Sequence, residues 1–304
     1  MYKNTLKKSY PQKLCTMWIT LSTGGGQLFQ ERKRQGRKER ERRAEKNERK
    51  GKVNCLKMRG EYGIIGQKEK KDMTERDLTE EAKAAITGEK KEKLEKFRSL
   101  LLEYNQKYNL TSITEEKDVY YKHFLDSAAG APLFSGYATV AEVGSGAGFP
   151  SLVLKILRDD LSFTLFESVG KKCDFLRIVV DNLGLSGMNI MNMRAEDAAR
   201  DPKFREKFDY CTARAVARMN TLSEYCLPLV KVGGIFLAYK SGDRTETEEA
   251  RVAFSELGCG EVKIYGYELP EGYGERTLVA VKKRSHTPGK YPRSQGLPRK
   301  KPLL

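Results

Sequence analysis

The sequence predicts an α/β fold, a mostly parallel, doubly wound, Rossmann-like sheet with an antiparallel edge strand and an N-terminal helical appendage. Three observations predict it: short β-rich runs alternate with helical segments from Thr139 to Lys283, one run opens directly into a glycine-rich loop, and the last two runs have no helix between them.

The elements follow in order. Leu94, Phe97, Leu101, Tyr104 and Tyr108 recur at three and four residues, which predicts an amphipathic helix over about 89–108. Asn109-Leu-Thr-Ser breaks it, and a second helix over about 116–130 carries His123, Phe124 and Asp126. Strands are predicted at Val140–Val143, Phe163–Glu167, Ile190–Met193, Tyr210–Ala213, Ile235–Lys240, Val262–Tyr267 and Thr277–Lys282. The Pro/Gly loop from Glu268 to Glu275 makes the last two an antiparallel pair at the sheet edge.

Charge is unevenly placed along the 304 residues. Of the net +16, residues 1–73 contribute +13 and residues 282–304 contribute +8, which leaves the body at −5. The high isoelectric point therefore describes the ends of the chain and is weak support for a basic face on the fold. Residues 1–73 include a run from Glu31 to Lys50 with no apolar stripe, so they are expected to be disordered. Such a segment is read as an RNA-tethering arm, a passive tail or translated upstream sequence, with the native product beginning at Met73. Residues 74–131 are assigned to N-terminal helices, 132–284 to the sheet domain, and 285–304 to a basic, Pro-rich tail.

The six cysteines lack CxxC or Cys/His spacing, so neither a zinc site nor a disulfide framework is expected, and isolated thiols fit a reducing cytosol. The apolar run Leu14–Leu21 is short and lacks a small-residue cleavage pattern, and no run is long enough to span a bilayer. A cytoplasmic monomer without metal or membrane attachment is expected.

The loop after the first strand reads Gly144-Ser-Gly146-Ala-Gly148-Phe149-Pro150 and leads into an apolar helix. Alternating glycines let the backbone turn sharply and approach a ligand, with the N–H groups of the helix start behind them. The dinucleotide fingerprint would need glycine where Phe149 stands. GxGxG is instead the form of S-adenosylmethionine-dependent methyltransferases, whose sheets also end in an antiparallel pair. Glu167 closes the next strand, where a carboxylate can accept from both ribose hydroxyls, or simply face solvent. Arg194-Ala195-Glu196 follows the third strand, where a backbone N–H and an acid can hold an adenine ring. Glu196 alternatively serves as a first-turn acid.

The sequence also excludes chemistries. No Asn/Asp-Pro-Pro-aromatic motif follows the fourth strand, as exocyclic-amine methylation would require, and Cys211 and Cys226 lack the context of a pyrimidine-C5 nucleophile. No cluster of metal-ligating acids is visible. A target that is already nucleophilic remains, such as guanine N7, for which positioning supplies most of the catalysis. Arg214 ends the fourth strand, beside the crevice, as a cofactor or target contact or as a surface Arg.

Taken together, Tyr108-Asn-Leu-Thr111, His123-Phe-Leu-Asp-Ser127, Val143 to Pro150, Arg194-Ala-Glu196, Ala213-Arg-Ala-Val-Ala217 and Thr287 to Pro298 resemble the bacterial small-subunit ribosomal RNA methyltransferase G family, also called glucose-inhibited division protein B. The resemblance runs from about Thr74 to the C-terminus. It implies methylation of N7 of a guanosine in the decoding region of 16S rRNA, free or in the small subunit, with S-adenosylmethionine as donor. By motif, Gly144, Gly146, Gly148, Phe149, Glu167, Ser168, Ala195, Glu196 and Arg214 would touch the cofactor. The family often carries Asp where this chain has Glu167. Arg214, His123 and Asp126 are the candidates for positioning, His123 and Asp126 being read equally as a helix interface pair. Lys290, Tyr291, Arg293, Arg299, Lys300 and Lys301 are the candidates for phosphate contact, or merely a solvated tail. The rival functions are a methyltransferase acting on another RNA or a small molecule, and a ribosome-assembly factor without turnover.

Overall fold

A computed structural model describes residues 77–304. The expectations for residues 1–73 and for a start at Met73 lie outside the described residues.

Helix α1 (Leu78–Ala85) is opened by Asp77, whose side chain accepts from the N–H groups of Thr79 and Glu80. Helix α2 (Gly88–Tyr108) buries Leu94, Phe97 and Leu101, the stripe its periodicity marks, and ends on Asn109 in the left-handed conformation. Helix α3 occupies residues 116–128 and is π-helical over Val119–Leu125. Phe97 packs against Phe124, Phe149 and Phe175, at ring-centroid distances of 5.8, 5.2 and 6.4 Å. These helices therefore share one core with the sheet.

The sheet has seven strands: β1 (Thr139–Val143), β2 (Ser162–Glu167), β3 (Met188–Asn192), β4 (Phe208–Arg214), β5 (Val230–Ser241), β6 (Cys259–Leu269) and β7 (Gly274–Lys283). Helices α4 (Ser151–Leu157), α5 (Gly170–Leu183), α6 (Ala195–Ala198) and α7 (Met219–Cys226) connect the parallel strands. Helices α8 (Thr245–Glu249) and α9 (Arg251–Glu256) precede β6, and α10 (Leu297–Lys300) lies near the C-terminus.

The strand order is β3-β2-β1-β4-β5-β7-β6. Strands β1 to β5 are parallel, and β7 runs antiparallel to both β5 and β6. The expected edge pair is present with one refinement: the outermost strand is β6, and the reversed strand β7 is inserted beside it. Chain order reverses between β1 and β4, and the crevice above the carboxyl ends of those strands is where a doubly wound sheet binds ligands.

Lys283, the last residue of β7, has a fully buried side chain. Its ammonium donates to Glu206 Oε1 at 2.6 Å and to the carbonyls of Leu227 and Val230 at 2.9 and 2.7 Å. It fastens the end of β7 beneath the loop entering β5, so this residue is a structural pin rather than part of a basic tail. Removing one partner of a buried ion pair strands the other, and Lys283→Ala should cost about 3 kcal/mol in urea unfolding.

Candidate functional site

The glycine loop turns as its sequence requires. Gly144, Gly146 and Gly148 have φ of +69°, +55° and +92°. A Cβ on Gly144 would lie 2.7 Å from Val216, and one on Gly148 would lie 2.2 Å from Leu152. A Cβ on Gly146 would meet nothing closer than the Gly144 carbonyl oxygen at 3.9 Å, so this glycine leaves the loop open rather than packed. Glu167 reaches across to the loop: its Oε2 accepts from Gly146 N at 2.9 Å, while Oε1 accepts from Val169 N at 2.8 Å. Each oxygen keeps a second lone pair.

Parallel pairing of β2 with β3 sets Glu167 opposite Asn192, whose side-chain amide donates to the Glu167 carbonyl at 2.9 Å. Ser168 is exposed beside it, and Ala195 and Glu196 begin α6 at the neighbouring strand end. One line of strand ends thus gathers the glycine loop, Glu167, Ser168, Ala195 and Glu196. Pairing of β1 with β4, with Glu142 opposite Thr212, brings Arg214 to the level of the loop.

Arg214 organises the other wall. Its guanidinium donates to Asp126 Oδ2 at 2.8 Å, to the Lys122 carbonyl at 2.9 Å and to His123 Nδ1 at 2.9 Å, and it lies over the Phe149 ring at 5.1 Å. His123 stacks on the same ring at 4.2 Å. A guanidinium can only donate, so Nδ1 is the acceptor and the imidazole proton sits on Nε2, facing Thr111 Oγ1 at 3.1 Å. Burial foremost, then the Arg214 charge, holds the His123 pKa down to about 3. Asp126 is 5% exposed and also accepts from the Tyr267 hydroxyl at 2.7 Å.

The three positioning candidates His123, Asp126 and Arg214 therefore stand together as one buried network. Thr111 and Tyr267 complete it. Thr111 lies in a quoted motif without an assigned role, and Tyr267 is 141 residues from Asp126, so no local spacing signals the contact.

Glu142 escaped the sequence reading, although a carboxylate in an apolar strand two residues before the loop was a signal. It is fully buried, and its carboxylate, with the hydroxyls of Ser145 and Ser151, has no hydrogen-bond partner among the described residues. Burial raises its pKa to about 7, against the charge of Arg214. A tight glycine cradle above unsatisfied buried polar groups, flanked by two strand-end acids, fits a nucleoside carrying a charged amino-acid tail.

The tail divides into residues paired within the fold and residues left exposed. Tyr291 is 4% exposed and donates to Glu256 at 2.6 Å, and the Arg293 guanidinium grips the fully buried Glu224. Both side chains are thus paired with carboxylates of the fold. Lys290 is exposed but paired with Glu256, whereas Arg299, Lys300 and Lys301 are exposed. Cys173, Cys211, Cys226 and Cys259 are buried, and burial pushes the Cys259 thiol up to about 12. Among the described residues no group of three or more His, Cys, Asp or Glu side chains is placed to hold a metal ion, and no helix is long and apolar enough to cross a membrane.

Fold and site together define a class I S-adenosylmethionine-dependent methyltransferase. Residues 90–269 match the family model described as rRNA small subunit methyltransferase G. Curated relatives bearing the name Ribosomal RNA small subunit methyltransferase G include one from Lactobacillus delbrueckii subsp. bulgaricus, 51% identical over 67% of this chain and 87% of its own length. Others come from Brevibacillus brevis, 46% identical over 72% and 94%, and Leuconostoc mesenteroides, 44% identical over 76% and 100%. The chain belongs to the ribosomal RNA small subunit methyltransferase G family.

Two outcomes test the geometry. Gly146→Asp places a side chain on a φ that favours glycine, and a negative charge in the open part of the loop, and should abolish S-adenosylmethionine binding in calorimetry while the protein stays folded. For His123, the folded pKa lies below the ordinary value near 6.5, so its contribution to stability is complete above about pH 6.5 and is lost as pH falls toward 3. Between pH 7 and pH 5 the loss is about 2 kcal/mol, and it should be absent from His123→Gln when urea unfolding of the two proteins is compared.

Proposed function

We propose that this protein transfers a methyl group from S-adenosylmethionine to N7 of a guanosine in the decoding region of 16S rRNA. It acts as a cytoplasmic monomer on the RNA or the small subunit. The observation that carries the choice of N7 is that the two candidate bases on the Phe149 side of the crevice, His123 and Asp126, are both engaged. His123 is neutral, with Nδ1 occupied by Arg214, and Asp126 is held by Arg214 and Tyr267. Guanine N7 offers an in-plane lone pair and loses no proton on methylation, so a site whose His123 and Asp126 are committed to Arg214 suits it.

Bound in the crevice, the cofactor supplies an electrophilic methyl group on sulfonium. Gly144, Gly146, Gly148 and Phe149 would cradle its amino-acid part, Glu167 and Ser168 its ribose, and Ala195 and Glu196 its adenine. Phe149, with His123 and Arg214 stacked on it, forms a rigid wall that excludes water and fixes the approach of the target nitrogen. The exposed Arg299, Lys300 and Lys301 remain candidates for phosphate contact.

Mapping 7-methylguanosine in 16S rRNA from cells with and without the gene tests the reading. One decoding-region 7-methylguanosine should vanish in its absence and return with purified protein and labelled donor. Methyl transfer to another atom, or none to any ribosomal substrate, would refute it.

A further inference from the structure

The chain beyond Thr287 doubles back over α6, α7 and α9 and is locked there by a buried ion pair. Arg293 donates from Nε and Nη2 to Glu224 at 2.9 and 2.6 Å, and its backbone N–H adds a bond of 2.7 Å to the same carboxylate. Glu224 has no exposed side-chain surface, so its charge depends on this partner. Arg200 and Arg205 fasten the same stretch by donating to the carbonyls of Pro292 and Tyr291, each at 2.8 Å.

Three residues beyond Arg293, Gly296 takes φ +73° and donates its N–H to Glu196 Oε1 at 2.9 Å. Gln295 donates to Asp197, the next residue of α6, at 2.5 Å. Glu196 is 5% exposed, and the Gly296 bond falls on its Oε1. One oxygen is thus pinned by the tail, and the carboxylate is held in a fixed orientation.

We infer that the C-terminal segment is a working part of the cofactor site, with Arg293 as a positioning residue that acts through Gly296 on Glu196. The group recognised is the exocyclic amine of adenine. This rests on the adenine reading of Ala195 and Glu196. A carboxylate held in one orientation loses no further freedom when it accepts the amine, and a polar group built to pair with an amine rejects an analogue that lacks it.

The test titrates S-adenosylhomocysteine and S-inosylhomocysteine, in which oxygen replaces the amine, into wild type, Arg293→Ala and Arg293→Lys, with thermal unfolding to establish that each is folded. Wild type should prefer the adenosyl ligand at least tenfold. Arg293→Ala should bind it about tenfold more weakly and the inosyl ligand almost unchanged, so that the preference collapses, while Arg293→Lys recovers part of it. Affinity for 16S rRNA should stay within twofold. Should Arg293→Ala not fold, a chain ending at Ser294 keeps the ion pair, removes the Gly296 donor together with Gln295 and the residues after it, and gives the same ligand comparison, with RNA affinity read from Arg293→Lys alone. An undiminished preference, an equal loss for both ligands, or weakened RNA binding with intact cofactor affinity would overturn the inference. If wild type itself does not discriminate, the adenine reading of Glu196 falls, and the role of the tail falls with it.

Discussion

The crevice depends on the Arg214 guanidinium at the end of β4. A cation placed there must find compensating partners, and it finds a carboxylate from Asp126, the Lys122 carbonyl, His123 Nδ1 and the face of Phe149. Each partner arrives from α3 or the glycine loop. Satisfying one charge therefore fixes the π-helical segment, the histidine tautomer and the loop's aromatic wall relative to β4. The same satisfaction engages His123 and Asp126, so neither is a free base.

A second constraint acts from the opposite side of the sheet. Acids at the end of β2, in α6 and in α7 are gripped internally: Glu167 by the Gly146 N–H of the loop, Glu196 by Gly296 and Glu224 by Arg293. Charge-assisted bonds of this kind tie separate stretches of chain to one another. They explain why a segment with eight basic and no acidic residues does not behave as a free cationic tail. Lys283, Tyr291 and Arg293 are used inside the fold, and exposed positive charge is left to residues such as Arg299, Lys300 and Lys301.

The strands were legible because a half-buried parallel sheet imposes its own composition and rhythm, and every predicted run falls on an observed strand within a few residues. The glycine loop was legible because only glycine tolerates those φ values with Val216 and Leu152 so close. Glu142 was legible in principle, as a charge where the strand should be apolar. Tyr267 and Gly296 were not, since each reaches its partner from about a hundred residues away or more and no local period records such a contact.

By itself the sequence determined the sheet, its reversed final pair, the ligand-binding loop and the family, because local sterics, hydrophobic periodicity and contiguous motifs write these directly into residue order. Only the tertiary structure decided that His123, Asp126 and Arg214 form one closed network and that Tyr291 and Arg293 of the basic tail pair with carboxylates of the fold. Which charge meets which carboxylate depends on distances set by the whole fold, and burial then decides whether a cation faces a phosphate or a glutamate.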